Sequence, residues 1–210
     1  MTIVIYFVNS CFEGDRDMRV SKDQAAENRA RIIEVASQQF RQKGFDGIGV
    51  ADVMKNAGLT HGGFYGHFTS KDDLIAESCD TAMKHSAETW SSYAQEGPEL
   101  ALAAITSSYL AKNHKGDLAN SCTMALLAPD IARHGGEVQT RFTEGTKRLL
   151  EILSNLVPGR SKARKRQKAL ATMAGLVGAV VLSRAVDDPE FADEILNAGQ
   201  AFFGSGDVGE

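Results

Sequence analysis

With 210 residues, 43% of them hydrophobic and 24% charged, the chain is long enough to bury a sizeable core, as one unit or as a small unit joined to a larger one. The formal net charge of −4 argues against wholesale coating of nucleic acid, yet residues 19–71 hold eight Lys/Arg against five Asp/Glu, a mildly basic segment on an acidic remainder. Cys11, Cys79 and Cys122 are too widely spaced for a disulfide framework or a zinc site, which fits a reducing cytoplasm, and no apolar run approaches the ~20 residues of a membrane span.

Residues 1–18 read as an N-terminal extension, loosely ordered, because Ile3 to Val8 is apolar without a helical period and is followed by the charged, turn-like stretch Glu13 to Asp17. A short strand or arm packed on the body is the alternative for this stretch. From about Asp23 to Lys43, Ile32, Ile33, Ala36 and Phe40 make one apolar stripe, with Arg29 and Arg31 on the remaining surface and Gly44 as the stop.

Val50, Val53, Met54 and Ala57 then fall at i, i+3, i+4 and i+7, and Gly58 supplies the positive φ that ends a short helix. Thr60 is placed to cap a second helix with Phe64 and Phe68 turned inward. That leaves Thr60, His61, Gly62, Gly63, Tyr65 and His67 on other faces. Gly62, Gly63 and Gly66 each cost a helix interior roughly 1 kcal/mol relative to Ala, so stability would not select them, whereas close approach to another surface would. A glycine-rich loop is the plainer reading of the same residues. Ser70 and Asp73 make a capping box for the next helix. Lys71 in that first turn suits a phosphate better than it suits the helix dipole, unless it is simply solvated.

The run AGLTHGGFYGHFTSKDDL, residues 57–74, resembles the signature of the tetracycline-repressor (TetR) family of bacterial transcriptional regulators. The resemblance covers about 50 residues, from near Asp23 to Leu74, with one departure: Gly49 stands where the family usually has Ser or Thr. It implies an all-α chain: an N-terminal three-helix helix-turn-helix DNA-binding head, joined by a long helix to a larger helical-bundle body for ligand binding and dimerisation. The expected division is the extension 1–18, the head 19–69 and the body 70–210. Thr60, His61, Gly62 and Gly63 are expected at base edges, and Tyr65, His67 and Lys71 at phosphates of double-stranded operator DNA.

Beyond Ser70 the pattern predicts a connecting helix to about Gln95, broken at Gly97-Pro98, and helices over 99–114, 137–157, 162–186 and 190–203, with a small-residue stretch, NSCTMALLAPDIARHGG, between the second and third. Trp90, Tyr93, Tyr109, Met124, Phe142 and Met173 are candidates to line an apolar cavity. Core packing also explains each of them, and the resemblance implies a small-molecule inducer pocket in this body. Leu170, Met173, Val177 and Val181 on one helix and Phe191 and Ile195 on the next make apolar stripes suited to a homodimer, an arrangement known in the family.

No catalytic motif, metal constellation or cofactor fingerprint stands out, so the expectation is a non-enzymatic regulator, a repressor on a pseudo-palindromic operator, without cofactor. Two other readings stay open. One is a helical ligand-binding protein or enzyme without DNA binding, motivated by the few base-reading side chains on a glycine-rich helix. The other is a regulator sensing redox state through Cys122, whose surroundings equally suit a small buried hydrophobe. The basic run Arg160 to Lys168 reads as a solvated loop and helix start.

Overall fold

A computed structural model describes residues 22–111, 117–119 and 121–204. The N-terminal extension and Cys11 lie outside the described residues. The described residues form eight α-helices: α1 (Lys22–Lys43), α2 (Val50–Asn56), α3 (Lys71–Tyr93), α4 (Pro98–Tyr109), α5 (Thr123–His134), α6 (Gly136–Leu156), α7 (Lys162–Ala185) and α8 (Pro189–Gly204). They also include two 3-10 turns, His61–Gly66 and Ala94–Glu96. There is no strand among the described residues, so the expected all-α class holds.

The apolar residues gather into two clusters. In the first, Ile32, Ala36 and Phe40 of α1 meet Val53 and Met54 of α2, Phe64, Phe68 and the first turns of α3, all shielded from solvent. Leu127 and Ile131 of α5 and Val138 of α6 close its far side. The second, larger cluster is built by the end of α3 with α4, α6, α7 and α8, around residues such as Met83, Ile105, Leu149, Leu153 and Leu176. Phe142 of α6 packs against both.

The helix that joins the clusters is α3, and its register is set at its start. Ser70 Oγ accepts from the Asp73 amide at 3.1 Å, while Asp73 Oδ2 accepts from both the amide (2.9 Å) and the hydroxyl (3.0 Å) of Thr69. The expected capping box is thus present with its return bond shifted one residue back. Further along, α3 lies against α6. A Cβ added at Gly145 would fall 2.6 Å from Met83 Cβ, so only glycine permits this approach. Asp80 of α3 is held by Lys84 at 2.7 Å and by Arg148 of α6 at 2.7 Å. Burial alone would raise the Asp80 carboxyl, but the hydrogen bonds from Lys84 and Arg148 outweigh it and hold the group below its ordinary range.

Three expectations need correction. The helix predicted over 99–114 stops at Tyr109. The small-residue stretch after it is α5, concealed by Pro129 inside the helix. A proline there removes one backbone donor and clashes with the preceding turn, yet burial of Met124, Leu127 and Ile131 holds the helix. Finally, α7 is long and apolar enough to cross a membrane by length and composition alone. In this fold it packs instead among α5, α6 and α8.

Candidate nucleic-acid interface and body cavity

The helix-turn-helix is built from α2 and the 3-10 turn His61–Gly66. α2 ends as its sequence predicts. Gly58 has φ +72°, its amide donates to Lys55 O at 3.0 Å, and the Leu59 amide donates to Met54 O at 2.9 Å. Gly49 precedes α2 without a side-chain cap. The second element is where the prediction of a capped α-helix fails. Thr60 makes no side-chain cap, and three glycines in six residues favour a short 3-10 turn closed by Gly63 N to Thr60 O at 3.1 Å and His67 N to Phe64 O at 2.9 Å.

That turn is anchored by its aromatic residues. Phe64 and Phe68 are buried and stacked with centroids 5.5 Å apart, and the Arg29 guanidinium of α1 lies over the Phe68 ring at 4.7 Å while pairing with Glu77 of α3. The opposite side is open: Thr60, His61, Gly62, Gly63 and Gly66 are exposed, and Tyr65 is 72% exposed. His67 is half-buried beside Phe68. Nothing inside the protein requires the glycines, because none of Gly62, Gly63 and Gly66 has positive φ, and an added Cβ would meet nothing within 4 Å at Gly62 or Gly66. Lys71 has an internal task that its sequence position did not suggest. Its Nζ donates to Phe45 O at 2.6 Å, tying the α1–α2 loop to the start of α3.

The body contains a cavity of about 200 Å³. Of the six residues expected to line it, Trp90, Tyr109 and Met124 do; Tyr93, Phe142 and Met173 are not in its wall. Met173 is buried in the second cluster, which also removes it from the expected dimerisation face. Trp90 and Tyr109 meet edge to face at 6.2 Å. The polar wall was missed by sequence reasoning: His85 and Ser86 of α3, Ser121 and Arg184. One signal was available for Arg184, a lone cation at the end of the apolar run of α7.

Tyr109 Oη donates to Cys122 Sγ at 2.8 Å. Burial, and then Cys122, raise the phenol well above its ordinary value. Burial likewise pushes the Cys122 thiol up, against hydrogen bonds from Tyr109 and from the Ala125 and Met124 amides. A thiol held neutral is a slow nucleophile, which weighs against redox sensing at Cys122, a half-buried residue of the cavity wall. Cys79, deeper in the first cluster, is pushed up to about 12 by burial.

The proposed dimerisation residues fall on an outer face. Leu170 and Val181 of α7 and Phe191 and Phe202 of α8 are each 42–50% exposed, and Val177 and Ile195 are half-buried between them. Gly175, on the other side of α7, is spent within the chain, where the Phe203 ring occupies the space of a side chain.

An all-helical bundle with a helix-turn-helix at one end defines a class, and the comparisons sharpen it. Residues 32–78 match the family described as bacterial regulatory proteins, tetR family. Through that segment the chain is similar to the tetR family. The transcriptional regulator AcrR of Shigella flexneri is 32% identical over 80 residues, 38% of this chain and 37% of that protein. TtgR of Pseudomonas putida is 38% identical over 64 residues, 30% of each chain. The match therefore spans only about a third of these relatives. Among solved structures, reduced Escherichia coli NemR superposes with a TM-score of 0.72 at 17% identity, over 83% of this chain and 94% of that one. Bacillus subtilis FadR in complex with stearoyl-CoA gives 0.62 at 19% identity, over 84% and 98%. These likenesses extend the fold through the body, and the names of AcrR and TtgR are those of transcriptional regulators.

Proposed function

We propose that the chain is a DNA-binding transcriptional repressor that grips a pseudo-palindromic operator as a homodimer and releases it when a small molecule enters the body. The observation that carries this reading is the exposed face of residues 60–67, where glycines without internal purpose sit on an aromatic anchor. A bare backbone can approach base edges closely. Thr60, His61, Gly62 and Gly63 face them in this reading, while Tyr65 and His67 reach phosphates. Lys71 keeps one of its three N–H donors on Phe45 O and offers the others to a phosphate.

The outer apolar face of α7 and α8 supports the homodimer, since water-exposed Leu, Val and Phe in one stripe gain by meeting a second copy. Two heads then address successive major grooves roughly 34–36 Å apart. AcrR and TtgR, each named as a regulator of transcription, support the regulatory part.

Selection of bound duplexes from a random library tests the reading as a whole. A recovered palindrome, bound with an affinity that falls steeply with salt, is the expected result. No enrichment and a flat salt dependence would favour the rival, a helical ligand-binding protein without DNA binding.

A further inference from the structure

The wall of the body cavity is chemically mixed. Trp90, Met124, Leu149 and Val180 of the apolar core contribute to it. So do Arg184, the Tyr109 phenol, His85, Cys122 and the hydroxyl residues Ser86, Thr89, Ser108 and Ser121, and the lining holds no carboxylate among the described residues. Burial lowers the Arg184 pKa, so its charge is held there at a cost that an anion would offset. The Tyr109 proton is directed at Cys122 Sγ, and a thiol sulfur is a weak acceptor that a carboxylate oxygen outcompetes. The cavity, about 200 Å³, is below the range of drug-sized sites and equals the liquid share of roughly seven waters at about 30 Å³ each.

We propose that this cavity binds a small amphiphilic carboxylate, its apolar part against Trp90, Met124, Leu149 and Val180 and its carboxylate on Arg184 and the Tyr109 hydroxyl. The inference rests on the reading of the body as an effector site and names the class of effector. The guanidinium fork matches two carboxylate oxygens, which fixes the orientation of the ligand. Arg184 also donates to Ser121 Oγ, and Ser121 Oγ donates to Asp117 O at 2.6 Å. Two residues from Ser121, the carbonyl of Ala119 accepts from Arg41 Nε of α1 at 2.6 Å. A carboxylate drawing Arg184 away from Ser121 therefore acts on the same short segment that α1 of the head holds.

The test uses the full chain and two matched probe pairs, benzoate against benzamide and hexanoate against hexanamide. Trp90 is the sole tryptophan, so its fluorescence reports occupancy of this cavity directly. The expected result is saturable quenching by at least one carboxylate, with its amide about tenfold or more weaker. Arg184→Gln should bring that ratio to about one with helicity unchanged, and Arg184→Lys should retain part of it. Equal binding of acid and amide, no binding of either acid at low-millimolar concentration, or a ratio untouched by Arg184→Gln would each overturn the proposal. Duplex binding measured without probe is a separate readout, so failure of the regulator reading is seen there and leaves this result standing.

Discussion

The two ends of the molecule carry their candidate functional residues in opposite directions. In the head, Phe40, Met54, Phe64 and Phe68 fill the core, and what they leave outside is a strip of Thr60, His61, glycines and Tyr65 that packing does not need. In the body, polar groups turn inward, and Arg184, Tyr109 and Ser121 surround a hollow among residues of the same apolar kind that fill the rest of the core. An outward site costs the fold little and shows itself as residues without a structural reason. An inward site shares its wall with the core and costs desolvation.

The comparison is open to five tests. Removing the Phe64 ring should have the largest effect, since Phe64→Ala creates a cavity worth about 3–5 kcal/mol in the smaller cluster. In urea, far-UV circular dichroism should then lose amplitude before Trp90 fluorescence changes. Coincident transitions would mean that head and body are one cooperative unit. Next, Leu170→Glu with Val181→Glu places charge on the exposed α7 face, and light scattering should report monomers whose duplex affinity is about a hundredfold lower or more. A variant that stays dimeric would move the interface elsewhere.

Smaller effects follow. Asp80→Asn should destabilise by about 1–3 kcal/mol at neutral pH. Because the folded Asp80 carboxyl sits below its ordinary value, its contribution is present above about pH 4 and lost as the pH falls through the folded value, so mutant and parent should converge in acid. Lys71→Ala should lower the slope of log affinity against log salt by about one and loosen the α1–α2 loop, read as faster amide exchange near Phe45. The smallest change is the most diagnostic in sign. Gly62→Ala should leave thermal stability unchanged or raise it by up to about 1 kcal/mol while weakening duplex binding. A loss of stability would show that the glycine serves the fold after all.

The same contrast explains what was legible in the sequence. Helical period located α1, α2, α3, α6, α7 and α8 within a few residues, and Gly58 marked the turn by its positive φ. The His61–Gly66 turn lies where the pattern predicts a helix but is 3-10 rather than α, because Phe64 and Phe68 at four-residue spacing give the α period even where glycines tighten the backbone. α5 was lost to Pro129, a local preference overridden by burial. In the body, Trp90, Tyr109 and Met124 reach the cavity while Tyr93, Phe142 and Met173 do not, and nothing in the spacing of aromatic residues separates a cavity wall from solid core. Arg184 contributes charge to the cavity, and a single cation at the end of an apolar helix has no periodicity that distinguishes it from a solvated surface residue.

The notch at Gly145 has a mechanical meaning. Met83 sits where a side chain would be, so sliding α3 along α6 requires the methionine to climb over the backbone on either side. Turning about that point requires only that neighbouring contacts rearrange. The Met83–Gly145 contact thus fixes the axial position of α3 on α6 near the middle of α3, with Ser70 and Lys71 toward one end and Trp90 toward the other.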